Sequence, residues 1–433
     1  MMPMAGLRPE QGPPLSVPLS FFFTAPLALV TAGVLLLFRG EAGLGSQWGP
    51  TTLALTHLGT VGFLLFVMVG ALYQMLPVVA GAVVPGVRLA HVVHALMLLG
   101  GSALVFGQAT GASWAFTVGA ALLSVSVGLF LMPAAVAVTR REAAGSTPRG
   151  LTLALVGLGA VVFAGARLAL VRGGHSTEAS WLSLRAAHVH LGFLLWAGTL
   201  ITSVSWQVLP MFFLAPEPKP WVTLGTQLMS SLSLVGLLVA LFGVPSGSVA
   251  FLAAPGAVAT WLVHPLWATT ALRARRRKRK DATLWFWWLG LACAPMCLGL
   301  GAATAWLDDE RWSLTYGLVV LWGWAGAIAH GMLTRIVPFL VWLHRCAPLV
   351  GRARVPSAKE LLPDRSVAVG FGLHLLGLLC GVTACWVGSG VAWRTFGLSL
   401  IFAGAWLGWV LTRALSRGKA KGPSVPAALS PRG

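Results

Sequence analysis

The chain has 433 residues, of which 57% are hydrophobic and only 9% are charged. A soluble domain carries about 25% charged residues, so this composition excludes a soluble protein. Lys and Arg number 30 against 11 Asp and Glu, but the basic residues lie between apolar segments, which favours membrane topology over nucleic-acid binding. The five cysteines form no repeated Cys-x-x-Cys pattern, which excludes a disulfide scaffold and a thiolate zinc site.

Apolar segments long enough to cross a bilayer, which takes roughly 20 residues, occur twelve times along the chain. We predict an all-α integral membrane protein with twelve transmembrane helices in one membrane domain, 18–415, between a flexible cytoplasmic tail at 1–17 and a second cytoplasmic tail at 416–433. The predicted spans are approximately 18–38, 51–79, 88–109, 113–138, 150–171, 186–213, 221–243, 247–272, 283–306, 312–343, 366–388 and 391–415. Span 1 runs into charged residues rather than a small-residue cleavage site, so we interpret it as a retained helix.

Basic residues follow spans 4, 8, 10 and 12, most densely in the run 273–280 after span 8. The loops 107–113, 242–247 and 386–390 are short and poor in Lys and Arg. The positive-inside rule then predicts a multi-pass protein of the cell's inner (cytoplasmic) membrane with both termini cytoplasmic. The run 273–280 could alternatively be a patch for nucleic acid or anionic lipid, but its place in the alternation favours a topology signal.

Spans 2 and 6 share a motif with a fixed interval. Each contains His-Leu-Gly, starting at His57 and His190, and each has a proline 20 residues after that histidine, Pro77 and Pro210. Span 10 keeps only the end of the pattern, with Pro338. We therefore predict three pseudo-repeated four-helix units, about 18–138, 150–272 and 283–415.

This plan resembles the catalytic subunit of the heme-copper oxidases, the subunit I superfamily. The stretch from His57 through Pro77 and Gly81 to Arg88–His91 is similar to helix 2 of that superfamily and the start of the next helix, and NnrS-type heme and copper membrane proteins are similar as well. The resemblance implies a b-type heme for electron transfer or for handling O2 or NO, with oxidoreductase activity if the site is active. It implies the lipid bilayer and an electron donor or second membrane subunit as partners, and no nucleic acid.

The sequence departs from the oxidase pattern at the reaction site. The segments 312–318 and 221–227 carry no histidine, where the oxidases have heme and copper ligands. A complete oxygen-reducing centre is therefore not predicted, and copper is left without a full ligand set.

Depth separates the candidate histidines into two levels. At about 1.5 Å per residue, His57 lies about 30 Å from Pro77, whereas His330 lies only about 12 Å from Pro338, so these two should not share one iron. The outer level holds His57, His188 and His190, and the inner level holds His94 and His330 together with His264 and His374. The predicted cofactor-binding residues are His57, His188, His190, His330, His94 and Arg335, with His57 and His190 the favoured metal ligands because they repeat.

Each of these residues also has a structural interpretation. An intramembrane histidine can simply hydrogen-bond a neighbouring helix. His188 and His190, two residues apart on a helix, cannot both point the same way. Arg335 occupies the position of Gln74 and Gln207, three residues before the proline, where a side chain can satisfy backbone carbonyls that the proline frees. Its functional alternative is a heme propionate, for which Arg167, Arg172 and Arg185 are candidates at the outer level.

Two other functions compete with heme binding. All eleven acidic residues lie in loops or tails, which argues against a carboxylate-driven pump or sodium symporter. A cofactor-free transporter or permease remains the alternative, although transporters are mostly built from paired halves rather than three repeats. A weaker alternative is an assembly or regulatory factor that uses the fold as a scaffold.

Overall fold

The computed structural model describes residues 12–42, 44–81, 84–140, 145–276, 278, 281–352 and 354–418. In these ranges the chain is helical and contains no β-strand, and twelve helices are long and apolar enough to cross a membrane. The prediction of an all-α multi-pass membrane protein is therefore confirmed. The helices are α1 Ser16–Arg39, α2 Pro50–Pro77, α3 Val87–Thr110, α4 Ser113–Thr139, α5 Ser146–Arg172, α6 Trp181–Phe213, α7 Pro220–Ala240, α8 Ser246–Arg273, α9 Thr283–Trp306, α10 Glu310–Leu349, α11 Asp364–Val387 and α12 Gly390–Arg417.

Most helix ends fall within a few residues of the predicted spans. The largest differences are at α6, which begins at Trp181, and at α10, which continues to Leu349. Hydropathy marks only the apolar part of a helix, whereas backbone hydrogen bonding continues through polar residues such as Arg185 and Arg345. Most of the predicted tails, residues 1–11 and 419–433, and part of the basic run, Arg277, Arg279 and Lys280, lie outside the described residues.

Helices α2, α6 and α10 form the centre of the bundle. In their most apolar stretches 56%, 67% and 72% of the residues are buried, against 33–50% in the other nine described spans. Each contains an eight-residue π-helical segment, Leu58–Leu65, Leu191–Gly198 and Val319–Gly326. The third π segment contacts both of the others.

The π segments extend the repeat to the third unit. Each begins 19 residues before the proline of its helix, so the spacing is the same around Pro77, Pro210 and Pro338. Segments of π-helix are rare and frequently mark functional sites. The third unit therefore keeps the spacing between π segment and proline, although it lacks the histidine that precedes the π segment in the other two units.

The first and last helices close the bundle. α1 packs along α12, and each glycine of the Gly33–Gly397 pair makes room for the backbone of the other helix. A Cβ on Gly33 would lie 2.3 Å from the carbonyl oxygen of Gly397, so neither position accepts a larger side chain. Small residues at a crossing let two membrane helices approach closely.

The two ends of the bundle differ in charge. Loops after odd-numbered helices contain no Lys or Arg, and we call this end the short-loop face; the loops are 40–49, 111–112, 173–180, 241–245, 307–309 and 388–389. Of the loops after even-numbered helices, all but 78–86 carry Lys or Arg, and we call that end the basic-loop face.

Candidate cofactor site

His57 and His190 have the same local geometry. Each lies directly before a π segment, and its Nδ1 donates to the backbone carbonyl four residues earlier, of Leu53 and Ala186 respectively, at 2.8 Å. A carbonyl only accepts, so Nδ1 carries the proton and Nε2 keeps its lone pair. This is the tautomer in which an imidazole binds a metal through Nε2.

His188 reaches the same tautomer through a different helix. Its Nδ1 donates to the carbonyl of Val161 on α5 at 3.0 Å, so the ring spans the α5–α6 contact. Gly165 makes room for it, because a Cβ there would lie 2.9 Å from Cε1 of the imidazole. His188 is thus held against α5 with its Nε2 lone pair available.

His57 and His188 line one cavity of about 400 Å³. Its wall is mostly apolar and is built by residues of α1 to α6 and of α10 to α12. Both imidazoles are half-buried, although they lie inside the helix bundle. His190 is not a lining residue, since a helical position two residues from His188 points to another side. The structure therefore brings together histidines of the first and second repeat units, but with His188 in the place where the repeat favoured His190.

The mouth of the cavity, at the short-loop face, is cationic and aromatic. Arg172 and Arg185 are both lining residues. The guanidinium carbon of Arg185 lies 3.6 Å from the ring centroid of Trp48, and that of Arg172 lies 5.8 Å from the ring centroid of Trp181. No lining residue is acidic, but Glu310 is close enough to attract Arg185 and accepts from the backbone N–H of Gln47, a lining residue, at 2.9 Å. An anionic group at the mouth would therefore compete with Glu310 for Arg185, whereas Arg172 has no carboxylate beside it among the lining residues.

The third arginine of this region is engaged elsewhere. Arg167 forms an ion pair with Glu178 and donates to the Leu241 carbonyl at 2.6 Å. Glu178 also accepts from the Ser180 hydroxyl at 2.6 Å. The Ser180 hydrogen bond, with a contribution from Arg167, holds the pKa of the Glu178 carboxyl below its ordinary value, although burial acts in the opposite direction. Of the three arginines, Arg167 therefore fixes the loop 173–180 rather than the cavity.

Trp322 lies on the cavity wall and connects it to a buried histidine pair. Its Nε1 donates to the backbone carbonyl of His374 at 3.0 Å, and His374 Nε2 donates to the carbonyl of Trp322 at 3.0 Å. The two rings stack with centroids 4.0 Å apart. His374 Nδ1 therefore accepts, and its partner at 3.2 Å is Nδ1 of His330. His330 is buried behind the stacked rings of Trp322 and His374, and it does not line the cavity.

The two remaining predicted residues lie in separate environments. His94 Nε2 contacts the Thr24 hydroxyl at 2.8 Å, between the rings of Phe21 and Phe66. Arg335 forms an ion pair with Asp281 near the basic-loop face. The structure does not bring either residue to the cavity.

Three aromatic residues of the cavity, Trp48, Tyr316 and Trp322, carry no signal in the sequence that would have selected them. With 20 tryptophans in the chain, the residue type alone does not mark a site. Within the described residues, no group of three or more His, Cys, Asp or Glu side chains is placed to hold a metal ion. Any metal at this cavity would therefore depend on ligands that it brings itself, in addition to the imidazoles.

No protein-family model and no curated protein matches the chain. A function for it therefore has to come from the geometry of its own site.

Proposed function

We propose that the protein is a divergent membrane protein of the heme-copper oxidase subunit I type that binds a b-type heme for electron transfer or for handling O2 or NO. One observation carries the proposal. Imidazoles from two repeat units, His57 and His188, line the same apolar cavity, and each has its Nδ1 proton committed to a backbone carbonyl.

The residues of the cavity fit a heme. A porphyrin brings four metal ligands of its own and takes one or two axial imidazoles, so the absence of a three-residue cluster among the described side chains is no obstacle. His57 and His188 would hold the iron, and Arg172 and Arg185 would pair with the propionates. When bound, the heme would supply one-electron chemistry, and a coordination position for a diatomic gas would be open only if one of the two imidazoles did not bind the iron.

The protein's own groups would set the properties of that site. The carbonyls of Leu53 and Val161 orient the two imidazoles and raise their basicity as ligands. The apolar wall excludes water, which affects the reduction potential. The arginines at the mouth stabilise negative charge at the short-loop face.

The charge difference between the two faces supports an orientation. We infer that the basic-loop face is cytoplasmic in the cell's inner membrane and that both termini are on that side. The cavity then opens toward the outer side, where an electron donor or second membrane subunit would approach.

An absorption spectrum of protein purified from heme-replete cells tests the proposal. We expect a Soret band, a pyridine hemochrome of b type and iron near one equivalent per cavity. Colourless protein without a hemochrome signal would contradict it. If that protein instead moved solutes across reconstituted vesicles, the cofactor-free transporter would be the better interpretation.

A further inference from the structure

Six buried polar atoms on α6, α8 and α10 have no hydrogen-bond partner among the described residues. Two of them, Arg335 Nε and His344 Nε2, lie toward the basic-loop end of α10. The other four are Thr202 Oγ1, Trp261 Nε1, His264 Nδ1 and Trp324 Nε1. Their side chains are at most 5% exposed. Buried polar groups are nearly always paired with protein or with ordered water, so four orphans in one region require an explanation.

The contacts between α6 and α8 place Thr202 beside the segment of α8 that carries Trp261 and His264. Gly198 meets Thr260, since a Cβ on that glycine would lie 2.6 Å from the threonine Cγ2. Further along, Ser205 Oγ lies 3.0 Å from His264 Nε2. Thr202 is four residues after Gly198 and three before Ser205, so it lies on the same face of α6, between these two contacts.

The indoles complete the cluster. Trp261 lies one turn before His264 on α8, and its ring meets the ring of Trp324 edge to face, with centroids 5.8 Å apart. Trp261 also packs against Tyr316, at 6.1 Å. Tyr316 lines the cofactor cavity, but none of the four orphaned residues does. The cluster is therefore a separate site behind Tyr316.

The proton positions define what the cluster can bind. Ser205 Oγ donates to the Thr202 carbonyl at 2.6 Å, so it accepts from His264 Nε2. His264 Nδ1 then carries a lone pair and needs a donor, whereas the two indole N–H groups need an acceptor. A purely accepting anion would leave His264 unsatisfied, and an apolar gas would satisfy none of these groups. Water both donates and accepts.

We propose that Thr202, Trp261, His264 and Trp324 form an internal site for bound water between α6, α8 and α10, adjacent to the cofactor cavity across Tyr316. A water molecule needs two to four polar partners to occupy a protein interior, and this cluster provides them. The site stores water beside the cavity independently of whether a heme is present.

A structure of the full chain in a lipid nanodisc, at a resolution that shows ordered water, is the direct test. We expect density within hydrogen-bond distance of both indole nitrogens and of His264 Nδ1. Side chains in the same positions with no density between them would overturn the proposal. So would rotamers that pair the four atoms directly with protein groups.

Thr202→Val provides a second test that needs no high-resolution map. If the hydroxyl bonds water, its removal lowers the midpoint of thermal unfolding; if the hydroxyl is unpaired in a dry site, its removal raises the midpoint or leaves it unchanged. Thr226→Val is the matched control, because the buried Thr226 hydroxyl bonds only carbonyls of its own helix, at 2.9 Å. Its midpoint measures the effect of replacing a buried threonine by valine where no water is involved. A midpoint for Thr202→Val at or above that of the wild type would contradict the proposal. Neither readout depends on heme, so this proposal and the proposed function can fail separately.

Discussion

His188 occupies the space that a side chain at Gly165 would need, since a Cβ there would lie 2.9 Å from the imidazole Cε1. With the hydrogen bond to Val161, this contact fixes the ring at the cavity. We expect Gly165→Ala to push the imidazole aside and to lower heme affinity by about 10-fold, as is typical when the support of a ligand is disturbed. Hemochrome titration of the purified variant measures this.

Gly159→Ala is the control for that variant. It lies on the same helix, but its Cβ would make an ordinary contact with Leu131 at 3.5 Å. It should bind heme as the wild type does. Full heme binding by Gly165→Ala at an unchanged melting temperature would show that His188 is not a ligand.

The ion pair of Arg335 and Asp281 predicts a stability effect without a heme effect. The side chains are 23% and 13% exposed, and Arg335 also lies over the ring of Phe213, at 5.2 Å from its centroid. Arg335→Ala leaves the carboxylate unpaired and should destabilise the protein by about 1–3 kcal/mol, less than for a fully buried pair because water screens part of the interaction. Thermal unfolding and heme content are measured on the same sample.

The double variant with Asp281→Ala should recover part of the lost stability, because no unpaired charge remains. Loss of heme from Arg335→Ala, at unchanged stability, would instead support the propionate role that the sequence left open for Arg335.

The loop 173–180 should respond to acid through Glu178. Its pKa is lower in the folded protein than in the unfolded chain, so the carboxylate stabilises the fold above the unfolded-state pKa. That stabilisation is lost as the pH falls from the ordinary range of a glutamate through the lowered pKa of Glu178. We expect the melting temperature to fall there, and we expect Glu178→Gln to be less stable at neutral pH with a smaller acid response. Identical pH profiles for the two proteins would refute this role.

Periodicity and spacing were sufficient to predict the fold class. The apolar spans located twelve helices, and the interval from His57 to Pro77 predicted a repeat whose register recurs in the three π segments. These features are local in sequence, because bilayer thickness sets helix length and a proline in a helix has a local effect.

The details of the site depend on non-local contacts. Whether His188 or His190 faces the cavity depends on how α6 is rotated about its axis relative to α5. The hydrogen bond from His188 to the Val161 carbonyl shows this rotation, whereas the sequence repeat contains no information about it. The reciprocal bonds of Trp322 and His374 join α10 to α11 across more than 50 residues of sequence, and no spacing rule predicts them. The sequence could therefore indicate candidate histidines, but it could not show which of them line the same cavity.

The heme content of three single variants tests the central claim most directly. His190 shares with His57 the hydrogen bond to the carbonyl four residues earlier and the same half-burial, but it does not line the cavity, so His190→Ala is a matched control. We predict that His57→Ala and His188→Ala lose the bound heme or its low-spin spectrum, whereas His190→Ala retains both. Retention by His188→Ala together with loss from His190→Ala would contradict the assignment of the cavity as the heme site.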